Sequence, residues 1–350
     1  MVEAENSTLK REIFEQPAAL RQLLKGEQQT VEQVAEAVQA RKPSFVMMAA
    51  RGTSDNAARY GQYLFGAVNQ LPVALATPSL FTRYAQPPSI RNALVVGISQ
   101  SGETPDICQV MEEAAAQGAL TVAITNTAES PLSATSDYTI HMRAGEELSI
   151  GATKTYTASL MALAMLSAAL SGDASRFDVL AQVPDFVSRI TASALTILDA
   201  AERYRYMQAC VVISRGYNYA TAYEIALKLK ELTYVLAEPY SSADFQHGPV
   251  AIIERGFPVI AAVPEGTIAE EVLALLRTLR KRDAELVVFS PLEAALQLGH
   301  TSFALPRDVP EWISPMVTVV PGQLLALGVA LAKGLDPDNP RELSKVTHTH

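Results

Sequence analysis

The sequence predicts an α/β protein made of two similar domains in tandem, each a mostly parallel sheet flanked by helices. Two observations predict this class. Short, nearly continuous apolar runs alternate with helical segments, which is typical of buried parallel strands. Three of these runs then recur about 164 residues later in the same order, which indicates an internal duplication.

In the first half, a helical pattern over residues 11–40 precedes an apolar run at 44–50, which ends at Arg51-Gly52. A helical stretch follows this turn. Further strands are predicted at 72–76, 93–98 and 120–124, and helices at 105–117, 152–171 and 176–203. Strands that alternate with helices in this way favour a parallel sheet.

The second half repeats the pattern, and its first run again ends in Arg-Gly, at Arg215-Gly216. The matching runs are 209–214 with 44–50, 259–263 with 95–99, and 286–290 with 120–124. We therefore predict a boundary in the helical segment around 185–205. The predicted divisions are a helical segment at 1–40, a first domain at 41–190, a second domain at 191–335, and a tail at 336–350.

Composition excludes several classes of protein. With 350 residues, 49% hydrophobic and 19% charged, the chain is expected to be globular. Its net charge of −9 argues against a nucleic-acid partner, which needs a basic face. The first ten residues are polar and the longest apolar stretch, 158–170, is too short to span a bilayer, so we expect no membrane partner.

Cysteine and histidine usage gives three further expectations. The two cysteines, Cys108 and Cys210, form no disulfide framework, so free buried thiols in a reducing, cytoplasmic compartment are predicted. Of the five histidines, only His348 and His350 are close in sequence, and both are in the terminal tail. We therefore expect no metal site and no cofactor.

Residues 99–104, Ser-Gln-Ser-Gly-Glu-Thr, follow an apolar strand and precede a helix; we call them the serine loop. Thr104 is a suitable N-cap and Pro105 a suitable first helical residue. Free backbone N–H groups and three hydroxyls at such a turn favour a phosphate dianion. The alternative is an ordinary strand-to-helix turn, in which serine, glycine and threonine are also common.

The duplication provides a comparison for the serine loop. The corresponding residues of the second half, 263–268, keep the glycine but replace the hydroxyl positions by Val263, Glu265 and Ile268. The carboxylate of Glu265 would repel a phosphate. If the serine loop binds phosphate, only the first domain does so.

A predicted helix over 223–234 places three charged side chains on one face, at helical spacing: Glu224, Lys228 and Glu231. Periodicity alone favours a solvated face with stabilising ion pairs. The functional alternative is that Glu231 is a general base with Lys228 as its neighbour. His247 lies about sixteen residues farther on in a Gly-Pro turn, and is the histidine nearest to these carboxylates in the sequence.

Together these residues resemble a known family, the tandem sugar isomerase (SIS) domains, and most of all the isomerase half of glucosamine-6-phosphate synthase. The resemblance covers nearly the whole chain. The segments that show it are the serine loop, 51–54, 152–154, 226–234, 247–249, 340–345 and the entry helix at 10–17.

The resemblance implies a role for each matching residue. Ser99, Gln100, Ser101 and Thr104 hold the sugar phosphate. The sugar is contacted by the hydroxyls of Thr53 and Ser54 and by the segment from Ile150 to Ala152. Glu231 moves a proton between C1 and C2, Lys228 supports it, and Lys345 of the tail reaches the reactive carbon. His247 opens the sugar ring from the partner subunit, so the resemblance implies a homodimer with shared active sites.

This sequence departs from the synthase pattern at three places. Ala152 replaces a serine, Ser344 replaces a small apolar residue, and the chain begins Met-Val-Glu without the amino-terminal cysteine of a glutaminase domain. We therefore expect an amino-sugar-phosphate deaminase and isomerase. The alternatives are a deglycase of fructosamine phosphates and a sugar-phosphate sensor without catalysis.

Overall fold

The computed structural model of the protein describes residues 7–345. The predictions that concern His348 and His350 and the first six residues lie outside this range. The described chain divides into two compact units. The N unit comprises residues 15–147, 154–184 and 344–345, and the C unit comprises 7–14, 148–153 and 185–343.

The first half of the chain begins with helix α1 (Thr8–Arg41), which covers the predicted 11–40. Its strands are β1 (Phe45–Ala49), β2 (Val73–Leu75), β3 (Ala93–Ser99), β4 (Leu120–Thr125) and β5 (Tyr138–His141). Its other helices are α2 (Gly52–Asn69), α3 (Pro78–Thr82), α4 (Pro105–Ala116), α5 (Pro131–Ala134), α6 (Lys154–Ser171), α7 (Ser175–Leu180), α8 (Val183–Ala192) and α9 (Ala194–Ala201).

The second half has the same kind of alternation. Its strands are β6 (Ala209–Ser214), β7 (Leu236–Ser241), β8 (Pro258–Ala262), β9 (Glu285–Ser290) and β10 (Thr301–Ala304). Its helices are α10 (Tyr219–Thr233), α11 (Ser242–Gln246), α12 (Ala269–Lys281), α13 (Glu293–Leu296) and α14 (Ser314–Ala332). Four short 3₁₀ turns lie at Glu202–Tyr204, Gly216–Asn218, Pro249–Ile252 and Glu311–Ile313.

Each unit contains one five-stranded sheet, in which every neighbouring pair is parallel. The strand orders are β2-β1-β3-β4-β5 and β10-β9-β8-β6-β7. These are the same order read in opposite directions, since β1 to β5 correspond to β6 to β10. The predicted fold class, two tandem α/β domains with mostly parallel sheets, is confirmed.

In both sheets the strand order changes direction at the first strand of the unit. After β1 it places β2 on one side and β3 on the other, and after β6 it does the same with β7 and β8. In open α/β sheets the crevice at the carboxyl ends of such strands is the usual ligand site. The turns that follow β1 and β3 lie at this crevice, and the serine loop is one of them.

One long apolar helix closes the core of each unit. Helix α6 packs on α2 in the N unit, and α14 packs on α10 in the C unit, with nearly all of α6 and α14 buried. The segment Glu311–Ala332 is also long and apolar enough to cross a membrane, but 89% of its apolar window is buried inside the protein. Such burial is typical of a core helix.

Candidate active site

The serine loop has the predicted position, between β3 and α4, and its hydroxyls are already ordered. The buried hydroxyl of Ser99 accepts a hydrogen bond from Gly102 N at 3.1 Å and pairs with Thr104 Oγ1 at 3.0 Å. Ser101 Oγ accepts from Glu103 N at 3.2 Å. Gly102 has a φ of 69°, and a Cβ there would collide with Ser130, so only glycine fits this turn.

One detail of the predicted cap is wrong. Thr104 is the N-cap residue and Pro105 the first residue of α4, but the Thr104 side chain makes no capping hydrogen bond. Its hydroxyl is directed to Ser99 instead. The first N–H groups of α4 are therefore not satisfied by the cap side chain, which is the condition under which a helix start binds an anion.

The remaining predicted contact residues of the N unit are accessible. Gln100, Ser101 and Thr104 are partly exposed, as are Thr53 and Ser54 in the first turn of α2. Strand β1 pairs with β3 in parallel, so the two turns lie at the same edge of the sheet. Thr53 and Ser54 are thus close to the serine loop, as a site at this crevice requires.

Cys108 touches the serine loop from beneath. Its Sγ lies 3.6 Å from the carbonyl oxygen of Gly102 and is placed to donate to it. Burial raises the pKa of this thiol, and nearby carboxylates, Glu112 before Asp106, raise it further. The thiol therefore stays protonated at neutral pH, as the prediction of a buried free cysteine requires, and Cys210 is likewise free and buried.

The corresponding turn of the C unit carries a carboxylate that the sequence analysis did not identify. Glu311 accepts a hydrogen bond from Thr267 N at 2.9 Å, and a Cβ at Gly266 would collide with its carboxyl group. Glu265, predicted to repel a phosphate here, is exposed. Two acidic residues therefore lie at this turn, and one of them already accepts from its backbone.

The charged face of α10 is buried, so the solvated alternative is wrong. Lys228 lies 2.5 Å from Glu231 Oε2 and 3.4 Å from Glu224 Oε1. The side chains of Glu224 and Lys228 are 0% and 1% exposed, and that of Glu231 is 23% exposed. Two carboxylates contact one ammonium group, and Glu231 is the carboxylate that is partly exposed to solvent. We call these three residues the carboxylate–lysine cluster.

The segment 148–152 packs against this cluster within the C unit. A methyl group built on Gly151 would lie 3.8 Å from Glu231 Oε2, so Ile150 and Ala152 flank a backbone that is next to the predicted base. Both residues are partly exposed. The two predicted parts of the site, the base and the sugar-contacting segment, are thus neighbours.

Glu12 of α1 fixes this segment. Its carboxylate is 1% exposed and accepts hydrogen bonds from Leu148 N at 2.6 Å and Ser149 N at 3.2 Å, and it also contacts the Ser149 hydroxyl. A buried carboxylate is costly unless it is hydrogen-bonded in this way. Glu12 therefore positions the backbone beside Glu231.

Lys345 is ordered by a buried carboxylate of the N unit. Its Nζ lies 2.8 Å from Glu147 Oε2, and the Glu147 side chain is fully buried. Glu147 also accepts from Thr155 N at 3.1 Å and Thr155 Oγ1 at 2.7 Å, in the first turn of α6. The described part of the tail is therefore held at this lysine.

His247 lies in the turn after α11 and is exposed. Its backbone N–H donates to Asp244 O at 3.0 Å. Because His247 is exposed, its ring does not pack in the core of the C unit. This position is compatible with the predicted contribution to another subunit. The role of His247 stays a prediction.

Sequence reasoning missed three buried carboxylates that organise these residues. Glu12 lies within the quoted entry-helix motif, and Glu224 is on the face that was considered, but neither was given a role. Glu147 left a weaker signal, since it is one of two adjacent acids in the loop just before residues 148–152. Its importance depends on a partner 198 positions away in the chain.

Comparison with known proteins agrees with this architecture. The model of the family described as SIS domain matches residues 40–169 and 208–333. A glutamine–fructose-6-phosphate aminotransferase [isomerizing] of Thermosynechococcus vestitus is 36% identical over 96% of this chain, but the match spans only 58% of that protein. The chain thus corresponds to little more than half the length of this curated relative.

Two solved structures extend the likeness. The C-terminal domain of glucosamine-fructose-6-phosphate aminotransferase from Francisella tularensis is 27% identical, with a TM-score of 0.87 over 96% of this chain and 98% of that one. Glucosamine-6-phosphate deaminase from Thermotoga maritima is 22% identical, with a TM-score of 0.76 over 98% of this chain and 100% of that one. The second likeness concerns the fold alone.

Proposed function

Because the chain belongs to the SIS domain family, we propose that it is an enzyme that binds a phosphorylated sugar and moves a proton between two of its carbons. The observation that supports this most is the carboxylate–lysine cluster. The helix face holds two carboxylates and one ammonium, and Glu224 and Lys228 are fully buried. Burying such charges costs stability, and clusters of this kind are typical of functional sites. Glu231 is the member with open surface.

The proposed reaction converts an amino sugar 6-phosphate, glucosamine 6-phosphate before others, into fructose 6-phosphate and ammonia. In the open-chain sugar, the aldehyde at C1 acidifies the proton at C2. Glu231 removes this proton and returns one to C1 through an enolamine, which leaves an imine at C2. Water then hydrolyses the imine, and ammonia departs.

Each remaining residue has a proposed part in this reaction. The serine loop holds the phosphate of the sugar through Ser99, Gln100, Ser101 and Thr104. Contacts to the sugar come from Thr53, Ser54, Ile150 and Ala152. Lys228 keeps the Glu231 carboxylate oriented, and Lys345 approaches the carbonyl carbon from the tail.

The names of similar proteins support this choice of substrate. The two aminotransferases are named for fructose 6-phosphate, and the name of the Francisella tularensis structure also contains glucosamine. The partly exposed residues of the serine loop fit the phosphate that these sugars share. Ala152 and Ser344, which depart from the synthase pattern, are near the residues that would contact the sugar.

We also propose a cytoplasmic homodimer in which His247 of one subunit completes the site of the other and opens the sugar ring. The exposed position of His247 and the two free buried thiols are compatible with this arrangement. A histidine suits this step because an imidazole ring can both donate and accept a proton.

An ammonia-release assay without added glutamine tests the proposal. Glucosamine 6-phosphate should yield equal amounts of ammonia and fructose 6-phosphate, and the Glu231→Gln variant should yield neither. Release of an amino acid from a fructosamine phosphate, with no ammonia from any amino sugar phosphate, would replace this activity by a deglycase. Tight binding of a sugar phosphate without turnover would instead indicate a sensor.

A further inference from the structure

The serine loop is surrounded by negative charge. Residues 99–106 contain two acids, Glu103 and Asp106, and no lysine or arginine. The same two carboxylates, after burial and Glu112, contribute to the raised pKa of Cys108 beneath the loop. Backbone N–H groups and hydroxyls would have to hold a phosphate dianion against this field, in a chain whose net charge is −9. A nearby cation would offset it.

Arg51 is the cation that the fold brings to this place. Strand β1 pairs with β3 with Ala49 beside Gly97, and Arg51 continues β1 in extended conformation, with φ −137° and ψ 153°. Extending the register by two residues places Arg51 beside Ser99. Arg51, two residues after the end of β1, thus lies next to Ser99, the first residue of the serine loop.

Asp106 fixes the guanidinium of Arg51 at the start of α4. Arg51 Nε lies 2.8 Å and Nη2 2.6 Å from the same oxygen, Asp106 Oδ2. The side chain of Asp106 is 2% exposed, whereas that of Arg51 is 47% exposed. Two N–H groups on one edge of the guanidinium are therefore used, and three of its five donors remain for a ligand.

We propose that Arg51 is a further substrate-binding residue, held by Asp106 so that its open edge contacts the phosphate in the serine loop. This inference rests on the proposed function, because it takes the serine loop to be the phosphate site. A guanidinium presents two parallel donors to a phosphate, which an ammonium does not. Asp106 is a positioning residue and does not touch the substrate.

The duplication supplies a matched control. Arg215 occupies the position of Arg51 in the C unit and pairs with Glu271, in the first turn of α12. The pair therefore also joins two turns in a unit whose loop lacks the hydroxyl positions of the serine loop. In the C unit the acid is 58% exposed, while Asp106 is buried. Arg215→Gln removes the same type of ion pair without removing a proposed phosphate contact.

The variants are chosen so that a stranded carboxylate does not obscure the result. Asp106 Oδ1 has no hydrogen-bond donor among residues 7–345, so Arg51→Gln alone would leave a buried charge poorly satisfied. The double variant Arg51→Gln/Asp106→Asn removes both charges. Arg51→Lys keeps a cation beside Asp106 and removes only the paired donors of the guanidinium. Thermal unfolding verifies that each variant is folded.

Three quantities are measured for each variant: the inhibition constant of inorganic phosphate, KM and kcat for glucosamine 6-phosphate, and kcat/KM for unphosphorylated glucosamine. The double variant should raise the inhibition constant and KM by about tenfold to a hundredfold, since one bidentate charged contact is lost. Its kcat and its activity on glucosamine should stay nearly unchanged. Arg51→Lys should lie between the double variant and the wild type, and Arg215→Gln should resemble the wild type.

Three results would overturn the inference, and they differ in what else they affect. If Ser101→Ala/Thr104→Ala loses phosphate affinity but the double variant keeps it, Arg51 only joins two turns and the proposed phosphate site stands. If Ser101→Ala/Thr104→Ala also binds phosphate as the wild type does, the serine loop is not the phosphate site and both proposals fail. Equal losses on glucosamine and on its phosphate would also assign Arg51 a purely structural role.

Discussion

Lys228→Met should destabilise the protein more than Glu231→Gln, although Glu231 is the proposed base. Removal of the ammonium leaves Glu224, which is 0% exposed, as a buried carboxylate without its cation, and Glu231 beside it. Loss of one partner of a buried ion pair costs about 3–5 kcal/mol in the free energy of unfolding. Glu231→Gln keeps an oxygen for Lys228, which retains Glu224, so its cost should be about 1 kcal/mol.

The loss of kcat should not follow the loss of stability, because the more stable variant, Glu231→Gln, lacks the proposed base. Glu231→Gln removes the group that accepts the C2 proton and should reduce kcat by a factor of about 10² to 10⁴. Urea unfolding gives the stabilities, and exchange of the C2 proton of glucosamine 6-phosphate with heavy water, followed by NMR, gives the proton transfer directly. The double variant Glu224→Gln/Lys228→Met should recover part of the stability lost in Lys228→Met, because the stranded carboxylate is neutralised.

Two outcomes would refute this reasoning. If Lys228→Met is as stable as Glu231→Gln, the cluster is not a buried charge network of the kind described. If Glu231→Gln still exchanges the C2 proton at the wild-type rate, Glu231 is not the base, whatever its effect on ammonia release.

Three further predictions follow from the same contacts. Ser101→Ala/Thr104→Ala should raise KM for the sugar phosphate by about tenfold or more, since buried phosphate oxygens lose two donors; an unchanged KM would remove the serine loop from the site. Subunit exchange between inactive His247→Ala and inactive Glu231→Gln should restore activity, because one site of the heterodimer regains both groups; no recovery after verified exchange would favour self-sufficient chains. The raised pKa of Cys108 keeps its thiol protonated, so iodoacetamide should label it slowly at pH 7 and faster in urea; rapid labelling of the native protein would contradict the buried position.

Periodicity and the duplication were sufficient for the fold because they depend on residues that are near each other in the sequence. The strands β1, β3, β4, β6, β8 and β9 lie in or near the centres of their sheets and have continuous apolar runs, so they were identified. The edge strand β2 was predicted, at 72–76, but the other edge strands were not. Strand β7 contains Pro239 and exposed Glu238, which weaken a strand pattern but are tolerated at an edge. Edge strands β5 and β10 are only four residues each.

The candidate site was predictable to the extent that its residues occur in local motifs. The serine loop and the charged face of α10 were recognised from spacing alone, but the burial of that face was not, because it depends on residues far away in the sequence, such as Gly151 beside Glu231. Glu12 and Glu147 act through Ser149 and Lys345, at separations of 137 and 198 residues. No local pattern contains such pairs, and they required the structure.

The tail offers the last prediction, because Lys345 is held by Glu147, a residue with no proposed contact to the substrate. Glu147→Gln should lower kcat by about tenfold and leave KM nearly unchanged, since it loosens Lys345 without touching the serine loop. Truncation after Leu343 should abolish ammonia release but leave the protein folded, because Glu147 keeps its two hydrogen bonds from Thr155. Glu146→Gln, at the exposed neighbour, is the control and should behave as the wild type. Stopped assays of ammonia and urea unfolding measure the two effects, and a truncated enzyme that keeps its kcat would show that Lys345 has no part in the reaction.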